Sequence, residues 1–200
     1  GTPAFPMEVY LDDLDLYPNR GIPWHWHKEL ELVYVLNGTI EFQTGVCSYV
    51  ISSGQGGLLP PNMLHMVTPY HQQHGSAYCA VLADPYLLHG LSGGLVETQY
   101  ASFITGADVD FFLLDNSCPW HKVALSCIHD MYLCDCIRPP GYLWRLQILL
   151  QQMGLTLYEN LDLKQEKQTS LSDVPYSRVR SCLKFIHQEY AGKIRLERSE

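Results

Sequence analysis

The sequence has no apolar run long enough to cross a membrane, no Cys-x-x-Cys pair and few basic residues. A membrane span needs ~18 consecutive apolar residues, and the N-terminus has no basic segment followed by an apolar one, so we expect neither an anchor nor a secretory signal. Seven cysteines is an odd number that fits no disulfide framework at this length, which predicts a reduced, cytoplasmic protein. The formal net charge of -8 makes the chain a poor candidate for holding a nucleic-acid backbone by itself.

The composition is that of a globular protein. Of its 200 residues, 46% are hydrophobic and 17% are charged, so a substantial core can form. Residues 1–117 contain short apolar runs separated by Gly, Pro and Asn, which predicts a small β-barrel or sandwich. Residues 84–117 follow this pattern least, and their structure stays open.

Residues 21–38 read as one extended strand that carries three polar side chains on one face. His25, His27 and Glu31 occupy odd positions, and alternate residues of a strand point to the same side. Val33 and Val35 continue this face with apolar side chains, and the opposite face, which includes Leu32 and Tyr34, is just as apolar. We therefore expect one face to line a barrel interior and the other to be covered by helices.

Two segments of this region resemble the paired motifs of the cupin family. The spacing in the first segment is H-x-H-x-x-x-E followed by glycine, and the second runs from a glycine through a proline to a histidine. The matching residues are His25, His27, Glu31 and Gly38, then Gly54, Pro60 and His65. Asn62 replaces the usual glycine, a mild change because asparagine tolerates positive φ better than most residues. The resemblance implies a double-stranded β-helix, or jelly-roll, barrel. Together with the helical pattern after Cys118, the expected fold is mainly β with C-terminal α: this barrel followed by two packed antiparallel helices.

From Cys118 onward the apolar period changes to three and four residues, which predicts two helices. The first ends before Pro139 and places His121 on its polar side; the second begins near Gly141. The spacing of one apolar stripe of the second helix suits a dimer interface and would equally serve a helix pair within the chain; we expect the dimer interface, which makes residues 118–160 a dimerisation segment. The stripe consists of Leu143, Leu146, Leu150, Met153 and Leu157. A second stripe, Trp144, Ile148 and Leu155, lies beside it and must also be covered, by the preceding helix or by a second subunit.

The C-terminal part resembles the AraC/XylS family of bacterial transcription regulators. Residues 161–175 are polar and aperiodic, which predicts a linker. Residues 176–200 resume a helical pattern that resembles the start of the family's helix-turn-helix DNA-binding domain through Ile186, His187, Tyr190, Ile194 and Leu196. The resemblance implies that residues 1–117 bind an effector and that DNA is contacted by residues beyond this segment. A homodimer is the expected assembly.

The expected effector pocket is the barrel interior. Its predicted lining is His25, His27, Glu31, Val33, Phe42, Tyr49, His65 and Tyr78. Polar groups with aromatic walls suit a sugar or an aromatic metabolite. We expect no cofactor, although His25, His27, Glu31 and His65 could together hold a divalent transition metal. A zinc site formed by His121, His129, Cys134 and Cys136 is disfavoured because the helical phases of these residues diverge.

Three functions remain open at this level. The first is the sensing and dimerising part of a transcription regulator, and it agrees with the absence of a nucleophile beside a base. The second is a metal-dependent cupin enzyme, such as a dioxygenase or an isomerase, supported by the complete histidine and glutamate set. The third is a dimerisation module with a vestigial pocket.

Overall fold

The computed structural model describes residues 2, 4–105 and 109–161. In this part of the chain, nine strands form two antiparallel sheets that face each other. The five-stranded sheet has the order β1 (Met7–Asp13), β8 (Ala77–Ala83), β3 (Leu30–Asn37), β6 (Gly56–Leu59) and β9 (Phe112–Leu114). The four-stranded sheet has the order β2 (Ile22–His25), β7 (His65–Pro69), β4 (Thr39–Thr44) and β5 (Ser48–Ser52). The prediction of a mainly β fold is confirmed.

The predicted single strand over residues 21–38 is wrong, because it is two strands in different sheets. β2 pairs with β7, whereas β3 pairs with β6 and β8. The chain passes from one sheet to the other between His25 and Leu30, and the carbonyl of His27 accepts a hydrogen bond from the backbone of Asn62 at 2.8 Å. Chains that switch sheets at a corner are a normal feature of β-sandwiches.

The two faces of β3 meet different layers, as expected. Val33 and Val35 are buried inside the barrel, while Leu30 and Leu32 are buried on the outer side in a cluster with residues of two long helices. These helices are α3 (Pro119–Ile137) and α4 (Tyr142–Asn160). On the same outer face, the Tyr34 ring lies 5.1 Å from the imidazole of His129. The helices therefore cover the sheet and exclude water from it.

Both long helices agree with the sequence periodicity, but His121 does not lie on a polar face. It is buried, and its Nδ1 accepts a hydrogen bond from the backbone of Asp115 at 3.2 Å. Helix α3 begins with Pro119 at its first turn, a position where the missing N–H has no cost. His121 thus ties the start of α3 to the chain that follows β9.

The predicted dimer stripe on α4 is mostly used inside the chain. Leu146, Leu150, Met153 and Leu157 are at most 2% exposed and belong to the cluster between the helices and the sheet. Leu143 alone among the five is 40% exposed. The expectation that this stripe forms the dimer interface is therefore wrong for the four buried residues, because a second copy cannot reach them.

The segment between β8 and α3, left open by the sequence, contains short helices and a strand. These are α1 (Tyr86–His89), a π-helical turn (Val96–Ala101), α2 (Ser102–Thr105) and β9, which pairs with β6. The predicted linker beyond Leu161 and the predicted DNA-binding helix over residues 176–200 lie outside the described residues. No helix of the described part is long and apolar enough to span a membrane.

Candidate functional site

The histidine cluster lies at one end of the barrel, where the two sheets meet. His25 ends β2 and pairs across the sheet with His65 at the start of β7. His27 lies in the connection between β2 and β3, and Glu31 is on the interior face of β3. His65 and Glu31 are buried, whereas His25 and His27 are partly exposed. The structure therefore brings together all four predicted metal-ligating residues, in a group that solvent can reach.

Each imidazole of the cluster is oriented by a backbone carbonyl two residues away. Because a carbonyl only accepts hydrogen bonds, the facing Nδ1 must carry a proton in all three rings. The pairs are His25 Nδ1 with Pro23 O at 2.8 Å, His27 Nδ1 with Glu29 O at 3.1 Å, and His65 Nδ1 with Met63 O at 2.9 Å. This arrangement leaves Nε2 of each ring for contacts other than the backbone: with Glu31 in His27 and His65, and with a ligand or a metal.

Glu31 is a buried carboxylate held between two of these rings. Its Oε2 lies 3.2 Å from His27 Nε2 and 3.0 Å from His65 Nε2. Burial acts to raise the pKa of Glu31, but the hydrogen bonds and positive charge of the two imidazoles lower it to about 2. Glu31 is therefore ionised at neutral pH and supplies the negative charge of the site.

The pKa values of the two partly exposed histidines are shifted in opposite directions. Burial is the largest single effect and acts to lower the pKa of His27, but the hydrogen bond to Glu31, the charge of Glu31 and the contacts with Glu29 together outweigh it, and the pKa is raised. The pKa of His25 is lowered, first by burial and then by the nearby His65. His25 thus favours the neutral form, whose Nε2 lone pair can bind a metal or accept a hydrogen bond.

The donor set fits a divalent transition metal. One nitrogen from each of His25, His27 and His65 lies within 4.8 Å of the other two. His65 Nε2 is fully buried and lies 3.0 Å from Glu31 Oε2. Imidazole nitrogens with a neighbouring carboxylate suit Fe, Mn, Ni or Zn. The alternative set on α3, His121, His129, Cys134 and Cys136, forms no such group in the described part of the chain.

The remaining predicted pocket residues are packed inside the barrel. Val33, Phe42 and Tyr78 are at most 1% exposed, and Tyr49 is half-buried. The ring of Phe42 is stacked on His65, with centroids 5.4 Å apart, and on Phe111, with centroids 4.7 Å apart. The cluster at the barrel mouth is therefore open to solvent, whereas Phe42 is buried between His65 and Phe111.

Phe111 is a central residue of the site that the sequence did not reveal. Its ring also lies 5.0 Å from that of Tyr49. The neighbouring Asp110 accepts hydrogen bonds from Tyr49 Oη at 2.8 Å and Thr44 Oγ1 at 2.7 Å. A Cβ on Gly57 would lie 2.4 Å from the Phe111 ring, so only glycine leaves room for it. Asp110 and Phe111 together fill the interior beside the cluster.

A second polar group that the sequence did not reveal adjoins the buried end of Tyr78. Asp12 on β1 accepts hydrogen bonds from the hydroxyls of Tyr17 and Tyr78. Burial raises the pKa of Asp12, against the lowering effect of the Tyr17 hydrogen bond. The negative charge of Glu31 repels that of ionised Asp12, which also raises the pKa of Asp12.

Comparison with known proteins places the chain in one family. A family model for the AraC-like ligand binding domain matches residues 15–117, which include the whole histidine cluster. The chain belongs to this family. The resemblance to AraC-type regulators predicted from the two histidine motifs and the C-terminal segment is thereby confirmed, and the AraC-like domain covers most of the barrel described above.

Individual relatives agree with this assignment. The uncharacterized HTH-type transcriptional regulator YdeC of Bacillus subtilis (strain 168) is 25% identical over 201 residues, covering 98% of this chain and 66% of YdeC. The chain thus spans about two thirds of the length of this curated relative. The crystal structure of ToxT from Vibrio cholerae O395 has a TM-score of 0.51 at 13% identity, covering 97% of this chain and 67% of ToxT. A crystal structure of an apo ToxT variant has a TM-score of 0.50 at 12% identity. These structural likenesses support the fold.

Proposed function

We propose that the chain is the effector-sensing and dimerising part of an AraC-type transcription regulator. The observation that carries the proposal is the histidine cluster of an AraC-like domain, which combines buried Glu31 and His65 with solvent-accessible His25 and His27. Such a site can recognise a small polar molecule while the barrel stays folded. DNA would be contacted by other parts of the regulator, in agreement with the net charge of -8.

The proposed effector is a sugar or a small aromatic metabolite with hydroxyl or carboxyl groups. His25 can accept or donate a hydrogen bond, and the raised pKa of His27 favours a positive charge there. The effector binds at the mouth of the barrel because aromatic side chains fill the interior.

An effector that binds only the folded chain must raise its melting temperature. We expect a thermal-shift screen of sugars and aromatic acids to yield compounds that stabilise the wild type by RT ln(1 + [L]/Kd), about 2.7 kcal/mol at 100 times Kd. The shift should disappear in His25→Ala and persist in His74→Ala, since the His74 side chain is exposed and pairs with Asp15 rather than with the cluster. A stabilising compound that acts equally on both variants would contradict the proposed site.

The same cluster is proposed to hold a divalent transition metal, with His25, His27 and His65 as nitrogen ligands and Glu31 beside them. The metal would act as a Lewis acid that binds a carboxylate or hydroxyl oxygen of the effector. The chain's own residues orient the rings through the three carbonyl contacts. This proposal departs from the expectation of a metal-free pocket, and it depends on the three histidine nitrogens that lie within 4.8 Å of one another beside the Glu31 carboxylate.

Metal content of protein purified without nickel affinity tests this. We expect about one equivalent of Fe, Mn, Ni or Zn by mass spectrometry in the wild type and in His74→Ala, and loss of at least ~90% in His65→Ala. Equal metal content in His65→Ala and the wild type, or a metal-free wild type that also fails to bind added metal in titration calorimetry, would contradict the metal proposal while leaving the effector proposal standing.

The alternative function is a metal-dependent cupin enzyme, and the histidine cluster is the observation in its favour. A sensor binds its effector without consuming it, whereas an enzyme depletes it. Incubating metal-loaded chain with any compound found in the thermal-shift screen, followed by mass analysis of the compound, separates the two. The regulator is preferred because the relative covering 98% of the chain is an HTH-type regulator.

The proposed homodimer uses the part of the exposed stripe of α4 that lies at the groove between α3 and α4, and not Leu155. Trp144 and Ile148 are 73% and 52% exposed, and Ile148 borders an apolar groove between α3 and α4 that also contains Ile137. Asp130 and Arg145 lie along this groove. Around a twofold axis, Arg145 of one copy can meet Asp130 of the other, so the surface is complementary to itself.

A further inference from the structure

A second cavity of about 440 Å³ lies outside the barrel, on the side of α4 that faces the segment after β8. Its walls come from α1, the π-helical turn Val96–Ala101, α2 and one side of α4. None of the residues in the histidine cluster lines it. Its volume lies in the range of small-molecule sites, so it is large enough for a ligand of one or two rings.

The walls of this outer cavity are mainly apolar and aromatic. They are formed largely by Leu88, Val96, Tyr100, Ile104, Leu155 and Tyr158. Tyr100 and Tyr158 meet edge to face with ring centroids 5.3 Å apart, which holds the two rings in place. Ala101 and Gly154 add little side-chain volume to the wall. Such a surface favours a flat apolar ligand.

His89 is the polar side chain of the outer cavity that lacks a partner. The residue is 9% exposed, and its Nδ1 is buried with no hydrogen-bond partner within the described residues. Its Nε2 faces the carboxylate of Glu97 at 3.7 Å, and Glu97 is itself fixed by a hydrogen bond from the backbone of Gly93 at 2.6 Å. The carboxylate favours the tautomer with the proton on Nε2, which leaves Nδ1 as an acceptor.

The charge and backbone of this region narrow the ligand class further. Because Glu97 places a negative charge next to His89, an anionic ligand would be repelled, and a neutral ligand is favoured. The turn that carries Glu97 and Tyr100 is π-helical, and π-helical turns occur frequently at functional sites. A buried acceptor beside an aromatic wall is complementary to a ligand with one O–H or N–H group.

We propose that the outer cavity is a second small-molecule site, which takes a neutral aromatic compound that donates one hydrogen bond to His89. The site is separate from the barrel site and does not depend on the proposed function. Leu88, Tyr100 and Tyr158 supply the apolar contact, and His89 Nδ1 supplies the polar recognition. A phenol or an indole has the required chemistry.

Titration calorimetry of the full 200-residue chain with 1-naphthol and naphthalene tests the proposal. We expect 1-naphthol to bind one to one and naphthalene to bind about five- to tenfold more weakly, because it lacks the donor. His89→Phe keeps a ring of similar size but removes the acceptor, so it should reduce 1-naphthol affinity to that of naphthalene and leave naphthalene binding unchanged.

Two further variants locate the binding. Leu155→Trp fills the cavity from a half-exposed position and should abolish binding of both compounds, whereas Leu95→Trp, an exposed leucine outside the cavity, should leave binding unchanged. Circular dichroism confirms that each variant is folded. Absence of 1-naphthol binding, or binding that survives Leu155→Trp, would overturn the outer site. Equal affinity for 1-naphthol and naphthalene would overturn the role of His89.

Discussion

Replacing Leu150 by glutamate is expected to unfold the chain. Leu150, on α4, has no exposed surface and lies in the apolar cluster that α4 forms with α3 and the outer face of the sheet. Loss of a buried leucine costs about 2–5 kcal/mol, and burial of an unpaired carboxylate costs several kcal/mol more. The sum reaches the whole stability of a typical domain, about 5–15 kcal/mol. The measurement is the circular dichroism spectrum and its urea midpoint.

The same substitution on the neighbouring stripe should separate dimerisation from folding. Ile148→Glu places its charge on an exposed surface, so we expect a native spectrum with sedimentation as a monomer. Leu155→Glu is the matched control, since Leu155 is 50% exposed on α4 but does not line the groove between the helices. It should remain folded and dimeric. A folded, monomeric Leu150→Glu would instead return the dimer interface to the originally predicted stripe.

The sequence could predict the helix α4 but not which of its two apolar stripes is buried. The periodicity of the sequence does not distinguish the buried stripe from the exposed one, because each has large apolar side chains at steps of three and four. The choice depends on close approach to α1: a Cβ on Gly154 would lie 2.4 Å from Leu88 Cδ1. Glycine inside a helix costs up to ~1 kcal/mol relative to alanine. Gly154, on the same side as Leu150 and Leu157, was the available signal.

The histidine cluster could be predicted from the spacing of the two motifs, even though the prediction of one strand over residues 21–38 was wrong. His25 and His27 belong to different elements from Glu31, yet motif spacing alone placed all of them together with His65. Asn62 indeed has a positive φ of 62°, as its position in the motif required. Phe111 could not be placed in this way. Its position depends on the pairing of β9 with β6, whose residues are more than 50 positions apart, and no local pattern encodes that register.

Phe111→Ala is expected to destabilise the chain and open the barrel interior. Phe111 is 4% exposed and contacts Phe42 and Tyr49, so its truncation should cost about 3–5 kcal/mol, measured as a shift of the urea midpoint. Phe103→Ala is the control, because Phe103 packs outside the barrel against Phe112 and Tyr158. It should cost less and leave the interior closed.

The opened space should bind a small apolar compound, as dry cavities in other proteins do. In benzene-saturated buffer, we expect the melting temperature of Phe111→Ala to rise more than that of the wild type or Phe103→Ala. Equal rises in melting temperature in all three proteins would mean that the interior of Phe111→Ala collapses into the space left by the ring. A larger rise would show that a ligand can replace Phe111. β9 follows Phe111 directly, and just after β9 the backbone N–H of Asp115 donates a hydrogen bond to His121 of α3. Displacement of Phe111 by an effector would then shift β9 and, through this hydrogen bond, the start of α3.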